Sequence, residues 1–166
     1  MTKFRIDNKV AIITGGGSGI GKSIAETFAA QGALVHILDI DDESALRTVE
    51  AIRGRQQSAD YHHCQVADQA AVIETINAIQ QQHPIDMLVN NAGVAAIGKA
   101  HETSEADFDR VFRVNVKGVY NCIYAAIPHF KKNGGGVILN MASVVSSVGI
   151  PDRFAYSTSK GAVLTM

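Results

Sequence analysis

The chain has 166 residues, 46% of them apolar and 19% charged, with no Trp and a formal net charge of −1 at pH 7. This composition excludes a disordered chain, suffices for one domain that buries about 70% of its unfolded surface, and gives no electrostatic reason to expect a nucleic-acid or anionic-membrane partner. No stretch approaches the roughly 20 apolar residues of a spanning helix, and the start carries Lys3, Arg5, Asp7 and Lys9 instead of a signal-type apolar block, so a cytoplasmic location is expected.

Short runs rich in Val, Ile and Leu alternate with longer segments of helical periodicity, the pattern of βαβ units on a parallel sheet covered on both faces. A first strand is expected at 9–14, followed by a helix at 20–31 with Ile24, Ala25 and Phe28 at helical spacing. A second strand at 33–39 leads to a helix at 41–53, whose Ala45, Leu46, Val49 and Ile52 share one face. The third strand is placed at 60–66 and the third helix at 68–82, with Val72, Ile73, Ile76 and Ile79 turned inward and Asp68 as its N-cap. A fourth strand at 86–90, a long helix at 104–130, a fifth strand at 136–142 and a helix from Tyr156 complete the order. With no repeat, low-complexity tract or linker, 1–166 reads as a single domain. Right-handed crossovers then predict an α/β fold with a doubly wound, Rossmann-type parallel sheet in strand order 3-2-1-4-5.

The first strand runs directly into Thr14-Gly15-Gly16-Gly17-Ser18-Gly19-Ile20-Gly21 and a helix. Glycines there allow a sharp turn and close approach to a pyrophosphate, whose charge is favoured by free N–H groups and the helix dipole. Gly15, Ser18, Gly19, Ile20 and Gly21 are the candidate phosphate contacts. The same stretch also reads as G-x-x-x-x-G-K-S over 16–23, in which Lys22 would reach triphosphate oxygens and Ser23 would hold magnesium. The later strand ends argue against that reading, because Asn90 and Asn140 lack the charge a magnesium site uses. Asp39, ending the second strand, fits the acid that bonds the adenosine ribose. It would favour NAD over NADP, since neither Ser18 nor Ile40 supplies a positive charge for a 2′-phosphate. A cap of the next helix is the alternative role for Asp39.

Cys64 and Cys122 show no C-x-x-C or zinc spacing and read as buried thiols. His62, His63 and Cys64 are consecutive on an extended segment, so their side chains alternate between faces and no shared metal is expected.

Further along come Asn90-Asn-Ala-Gly93, Asn115, Ser143 and Tyr156-Ser-Thr-Ser-Lys160. With the glycine loop, these motifs in this order make 8–166 resemble the short-chain dehydrogenase/reductase family. The resemblance implies an NAD(H)-dependent oxidoreductase that moves a hydride between nicotinamide and a secondary alcohol or ketone. In it Tyr156 is the general acid/base, Lys160 one turn away supplies positive charge and bonds the nicotinamide ribose, and Ser143 bonds the reacting oxygen. Asn115 orders a water that completes a proton relay, and Asn90, Ala92 and Gly93 line the adenine-side ribose and brace the sheet. Gln65 and Val66 stand where the family often carries an acid for the adenine amino group; an amide oxygen can still accept that bond. Homodimers or homotetramers built through the helices bearing Asn115 and Tyr156 are implied for the intact protein.

The family's chains run to about 250 residues, so about a third is expected to be missing. In keeping with that, the last helix reaches Met166 without Gly, Asn or a basic final turn. The fifth strand is then expected to be a sheet edge, and a non-catalytic NAD-binding fragment is the alternative to an active enzyme.

Overall fold

The computed structural model describes residues 4–166, so part of the charged start, at 1–3, lies outside the described residues. Strands β1 (Val10–Thr14), β2 (Leu34–Asp39), β3 (Ala59–His63), β4 (Met87–Asn90) and β5 (Val137–Asn140) pair in parallel in the order β3-β2-β1-β4-β5. This is the expected order of a doubly wound sheet, and right-handed crossovers are compatible with it. Helices α1 (Gly19–Ala30) and α2 (Asp42–Arg53) cover one face, where Ala25, Ala29, Ala45, Val49 and Ile52 pack on Ile13, Val35 and Ile37. Helices α3 (Gln69–Gln82) and α5 (Gly118–Asn133) cover the other, with Val72, Ile76, Ile79, Cys122 and Phe130 on Ile12, Leu38 and Leu88. Each fully buried Ile or Leu in these layers contributes roughly 1.5–3 kcal/mol, which is what holds the sheet against its chain entropy.

The helices start where the capping chemistry places them. Asp41 accepts the Ser44 N–H to open α2, and Asp68 accepts those of Ala70 and Ala71 to open α3. Asp41 therefore takes the capping role considered for Asp39. The helix expected at 104–130 is broken into α4 (Glu105–Phe112), a π turn at Arg113–Lys117 and α5, which runs on to Asn133. Ser104 caps α4, and Gly134 at φ +87° stops α5. The widened π turn carries Asn115 inward to a fully buried position. The last helix, α6 (Phe154–Leu164), begins two residues before Tyr156.

Two strands are shorter than expected because their ladders run out. β3 stops at His63; the Cys64 N–H still reaches the Asp39 carbonyl at 2.9 Å, but Gln65 then accepts the Asp68 N–H at 2.9 Å and the chain turns into α3. Among the described residues β5 has one neighbour, β4, and the Ala142 N–H folds back to the Asn140 carbonyl at 3.1 Å. As an edge strand β5 leaves Val137 and Leu139 61% and 45% exposed.

Cys64 and Cys122 are buried free thiols on the α3/α5 side, and burial pushes the Cys122 thiol up to about 12. His62 and His63 diverge as alternation requires, the first to His36 at 2.9 Å and the second to Asp42 at 2.6 Å. Among the described residues no helix is long and apolar enough to cross a membrane.

Candidate active site

At the carboxyl ends of the strands the glycine loop forms the floor of a cavity of about 420 Å³. Gly15, Ser18, Gly19 and Ile20 lie along it, Asp39, Gln65 and Val66 at one side, and Ala92 and Gly93 at the other. Gly21 lies beneath, where it lets two backbone segments cross: a Cβ on it would stand 2.1 Å from the Gly15 carbonyl oxygen. Gly19 is different. It sits at φ +52°, and a Cβ there would meet nothing of the protein within 4 Å. Gly19 lines the cavity at the start of α1, and the Ser18 hydroxyl makes no capping bond to the first N–H groups. Those unpaired donors and the positive helix end fit a pyrophosphate. Lys22 and Ser23, the residues the triphosphate reading relies on, are absent from the residues lining this cavity.

Asp39 holds the loop as well as facing the cavity. Its Oδ2 accepts the Gly17 N–H at 2.9 Å, and its Oδ1 accepts those of Ile40 and Asp41 at 2.8 and 3.1 Å. Buried Thr48 completes the clamp by donating to the Gly17 carbonyl at 3.1 Å. The Val66 carbonyl is held by the amide of fully buried Asn121, 2.8 Å away. Neither Thr48 nor Asn121 carries a local signal in the sequence, since each acts on a partner far along the chain.

Of the two adjacent asparagines, Asn90 braces the sheet and does not line the cavity. Its Nδ2 donates to Asn140 Oδ1 at 2.9 Å, joining β4 to β5. Asn91 faces the cavity instead, and its Nδ2 donates to the carbonyls of Thr14 and Gly15 at 3.0 and 3.1 Å. Alternation along an extended strand end is the signal that separates the two.

The remaining candidates gather around α6. Tyr156 is half-buried and Lys160 is buried at 6% exposure, one turn apart on the helix. Lys160 Nζ lies 5.9 Å from the Tyr156 ring centre and donates to the Met141 carbonyl at 2.5 Å, just past β5. Burial of the ammonium lowers the Lys160 pKa from its ordinary value. Ser143 opens a short 3-10 turn, its hydroxyl accepting the Val145 N–H at 3.4 Å. Both hydrogens of the Asn115 amide are spent on protein: Oδ1 accepts the Val94 N–H at 2.8 Å, while Nδ2 donates to the Val94 carbonyl at 2.9 Å and to Ser159 Oγ at 3.0 Å. The amide could therefore hold a water only through the second lone pair of Oδ1.

Cofactor-type cleft and Tyr–Lys helix thus occupy one end of one sheet, and a sequence model of the family described as short chain dehydrogenase matches residues 9–166. The chain belongs to the short-chain dehydrogenase family. Among short-chain dehydrogenase relatives, an uncharacterized oxidoreductase of Thermotoga maritima is 45% identical over 161 residues, which is 97% of this chain and 64% of the relative. A short-chain dehydrogenase/reductase from Burkholderia phymatum, solved in complex with NAD, superposes with a TM-score of 0.93 at 35% identity, covering 98% of this chain and 58% of that one. A gluconate 5-dehydrogenase from Burkholderia cenocepacia, solved with NADP and tartrate, gives 0.92 at 34% identity over 97% of this chain and 64% of that one. The chain therefore spans about three fifths of the length of these proteins.

Proposed function

We propose that this chain is the cofactor-binding and catalytic part of an NAD(H)-dependent oxidoreductase that acts on a secondary alcohol or ketone. One observation carries the reading. The cleft over the glycine loop and the Tyr156–Lys160 pair share the carboxyl end of the sheet, linked by Val94, which lines the cleft and bonds Asn115, and by Met141, which bonds Lys160. The neighbour named gluconate 5-dehydrogenase supports an alcohol substrate.

A nicotinamide cofactor bound here would supply the hydride acceptor or donor. The N–H groups at Gly19 and Ile20 would hold its pyrophosphate, and the Asp39 carboxylate would accept from its adenosine ribose hydroxyls. Structures of the family hold either NAD or NADP, so the preference for NAD rests on Asp39 itself. A 2′-phosphate would face that carboxylate with no cation at Ser18 or Ile40 to offset it. Gln65 offers an amide oxygen to the adenine amino group, and Val66, Ala92 and Gly93 give the cleft its walls. The Tyr156 hydroxyl gives its proton to a carbonyl oxygen in reduction and takes one from the alcohol in oxidation, while Ser143 holds that same oxygen. Lys160, whose Nζ donates to the Met141 carbonyl, would hold the nicotinamide ribose. A relay water sits on the backbone of the π turn beside Asn115. Assembly into a homodimer or homotetramer would use α5, whose Tyr120 and Tyr124 are exposed with ring centres 5.9 Å apart.

A panel of secondary alcohols with NAD, read as cofactor reduction by the intact protein, tests the reading. Tyr156→Phe should lower kcat about 100-fold or more, the scale of a lost general acid/base; full activity in that variant would overturn it. The exposed edge at β5 favours a second reading, a part that binds NAD without turnover. Calorimetric NAD binding with no reduction of any alcohol would support it.

A further inference from the structure

We propose that Ser159 is a positioning residue, one that fixes the catalytic helix against the cofactor cleft through Asn115; the inference rests on the reading of Tyr156 as the acid/base. Three hydroxyl residues separate Tyr156 from Lys160, and their surroundings differ. Thr158 is exposed and bonds back to the Phe154 carbonyl at 2.8 Å, and the buried Ser157 hydroxyl oxygen has no partner. Ser159 alone is fully buried and bonded on both sides: its Oγ is 3.0 Å from Asn115 Nδ2 and 2.7 Å from the Tyr156 carbonyl oxygen.

The direction of these bonds follows from donor counting. An amide nitrogen has two hydrogens, and Asn115 gives one to the Val94 carbonyl and the other to Ser159. Ser159 Oγ must therefore accept from Asn115, which leaves its own hydrogen for the Tyr156 carbonyl. The result is a directed chain from the Val94 N–H through the Asn115 amide and the Ser159 hydroxyl to the backbone of Tyr156.

One end of that chain is the cleft wall, since Gly93 and Val94 both line the cavity and a Cβ on Gly93 would stand 3.3 Å from Asn115 Oδ1. The other end is the residue that handles the proton. The next residue, Lys160, is pinned separately to the Met141 carbonyl. α6 is thus held at adjacent positions from two sides, by the π turn and by the end of β5. Removing the Ser159 hydroxyl leaves an Asn115 donor unpaired in a fully buried site and frees the turn of helix that carries both Tyr156 and Lys160.

The test compares the intact protein with Ser159→Ala, Ser159→Cys and Tyr156→Phe. Cysteine preserves the side-chain volume while weakening both bonds, so it separates hydrogen bonding from packing if the alanine variant folds poorly. The expected result is a fall in kcat of about tenfold in Ser159→Ala, the scale of one lost hydrogen bond in the transition state, with a smaller fall in Ser159→Cys. The pH profile of kcat moves in both variants, and KM for NAD changes less than about twofold because the glycine loop is untouched. Wild-type kcat, or an unmoved pH profile, in the Ser159 variants overturns the inference while Tyr156→Phe is inactive. If Tyr156→Phe is itself fully active, the acid/base reading fails first and the inference falls with it.

Discussion

The Asp39 carboxylate accepts the Gly17 N–H at 2.9 Å, so a residue that lines one side of the cleft also clamps the loop that forms its floor. In the proposed NAD reading, cofactor choice and loop geometry are thereby tied to one side chain. Asp39→Asn keeps the shape but removes the charge, and because both carboxylate oxygens accept backbone N–H groups it also sets an amide NH2 against one of those donors and loosens the loop. We expect it to weaken NAD binding by roughly tenfold and to raise the ratio of NADP to NAD in kcat/KM, because hydrogen bonds to a charged group exceed neutral ones by about 1 kcal/mol. Calorimetry with both cofactors measures it. An unchanged cofactor ratio would show that Asp39 acts on the loop alone.

Gly19 and Gly21 are predicted to fail in different ways. Gly21→Ala places a methyl group 2.1 Å from a backbone oxygen that no rotamer change can move, so thermal stability should fall steeply, by about 3 kcal/mol or more. Gly19→Ala meets no protein atom and bears only the left-handed backbone, about 1 kcal/mol, while it adds a methyl group to a residue that lines the cleft. Its main effect should appear as lost NAD affinity at nearly wild-type Tm. Equal loss of Tm in the two variants would contradict this assignment of their roles.

Beneath the C-terminal half of α3 a second, unrelated group sets a pH limit on the fold. His36 on β2 is 2% exposed and its Nδ1 lies 2.9 Å from His62 Nε2 on β3. Burial first, then the neighbouring His62 and His83, hold the His36 pKa down at about 4 against 6.5, with Asp60 opposing. A folded-state pKa below the unfolded one means that the unfolded chain takes the proton first as pH falls. The contribution is therefore complete above pH 6.5 and is lost between 6.5 and 4, to an extent of roughly 3 kcal/mol. Urea unfolding should show its midpoint dropping through that window, and His36→Leu should flatten the drop. A midpoint independent of pH between those limits in the wild type would remove His36 as the cause.

How much of the site was legible in sequence depends on the range of the physics behind each residue. The glycine loop could be read because its demands are local: a turn, a close crossing and a helix start all fall within 14–21. Asp39 could be placed at the cleft because it ends a strand of recognisable period, whereas Gln65, Val66, Ala92 and Gly93 were placed there by the family resemblance. Asn90 was assigned to the ribose where Asn91 faces the cavity, because which of the two turns toward the loop was not read from the alternation at the end of β4. Ser159 looked no different from Ser157 or Thr158 until α6 was packed against the π turn.

Read by itself, the amino-acid order determines the alternation of strands and helices, the strand order 3-2-1-4-5, and the residue types available for phosphate, ribose and proton handling. The alternation and the glycine loop follow from side-chain periodicity and backbone freedom, which act over a few residues, while the residues for proton handling are implied by the family resemblance. Tertiary structure alone decided that β3 and β5 end early, that the helix at 104–130 opens into a π turn, and that Asn115 spends its amide on Val94 and Ser159. Each of these depends on which donors and acceptors meet across dozens of residues once the layers close, and a buried polar group must find its partner wherever packing leaves one.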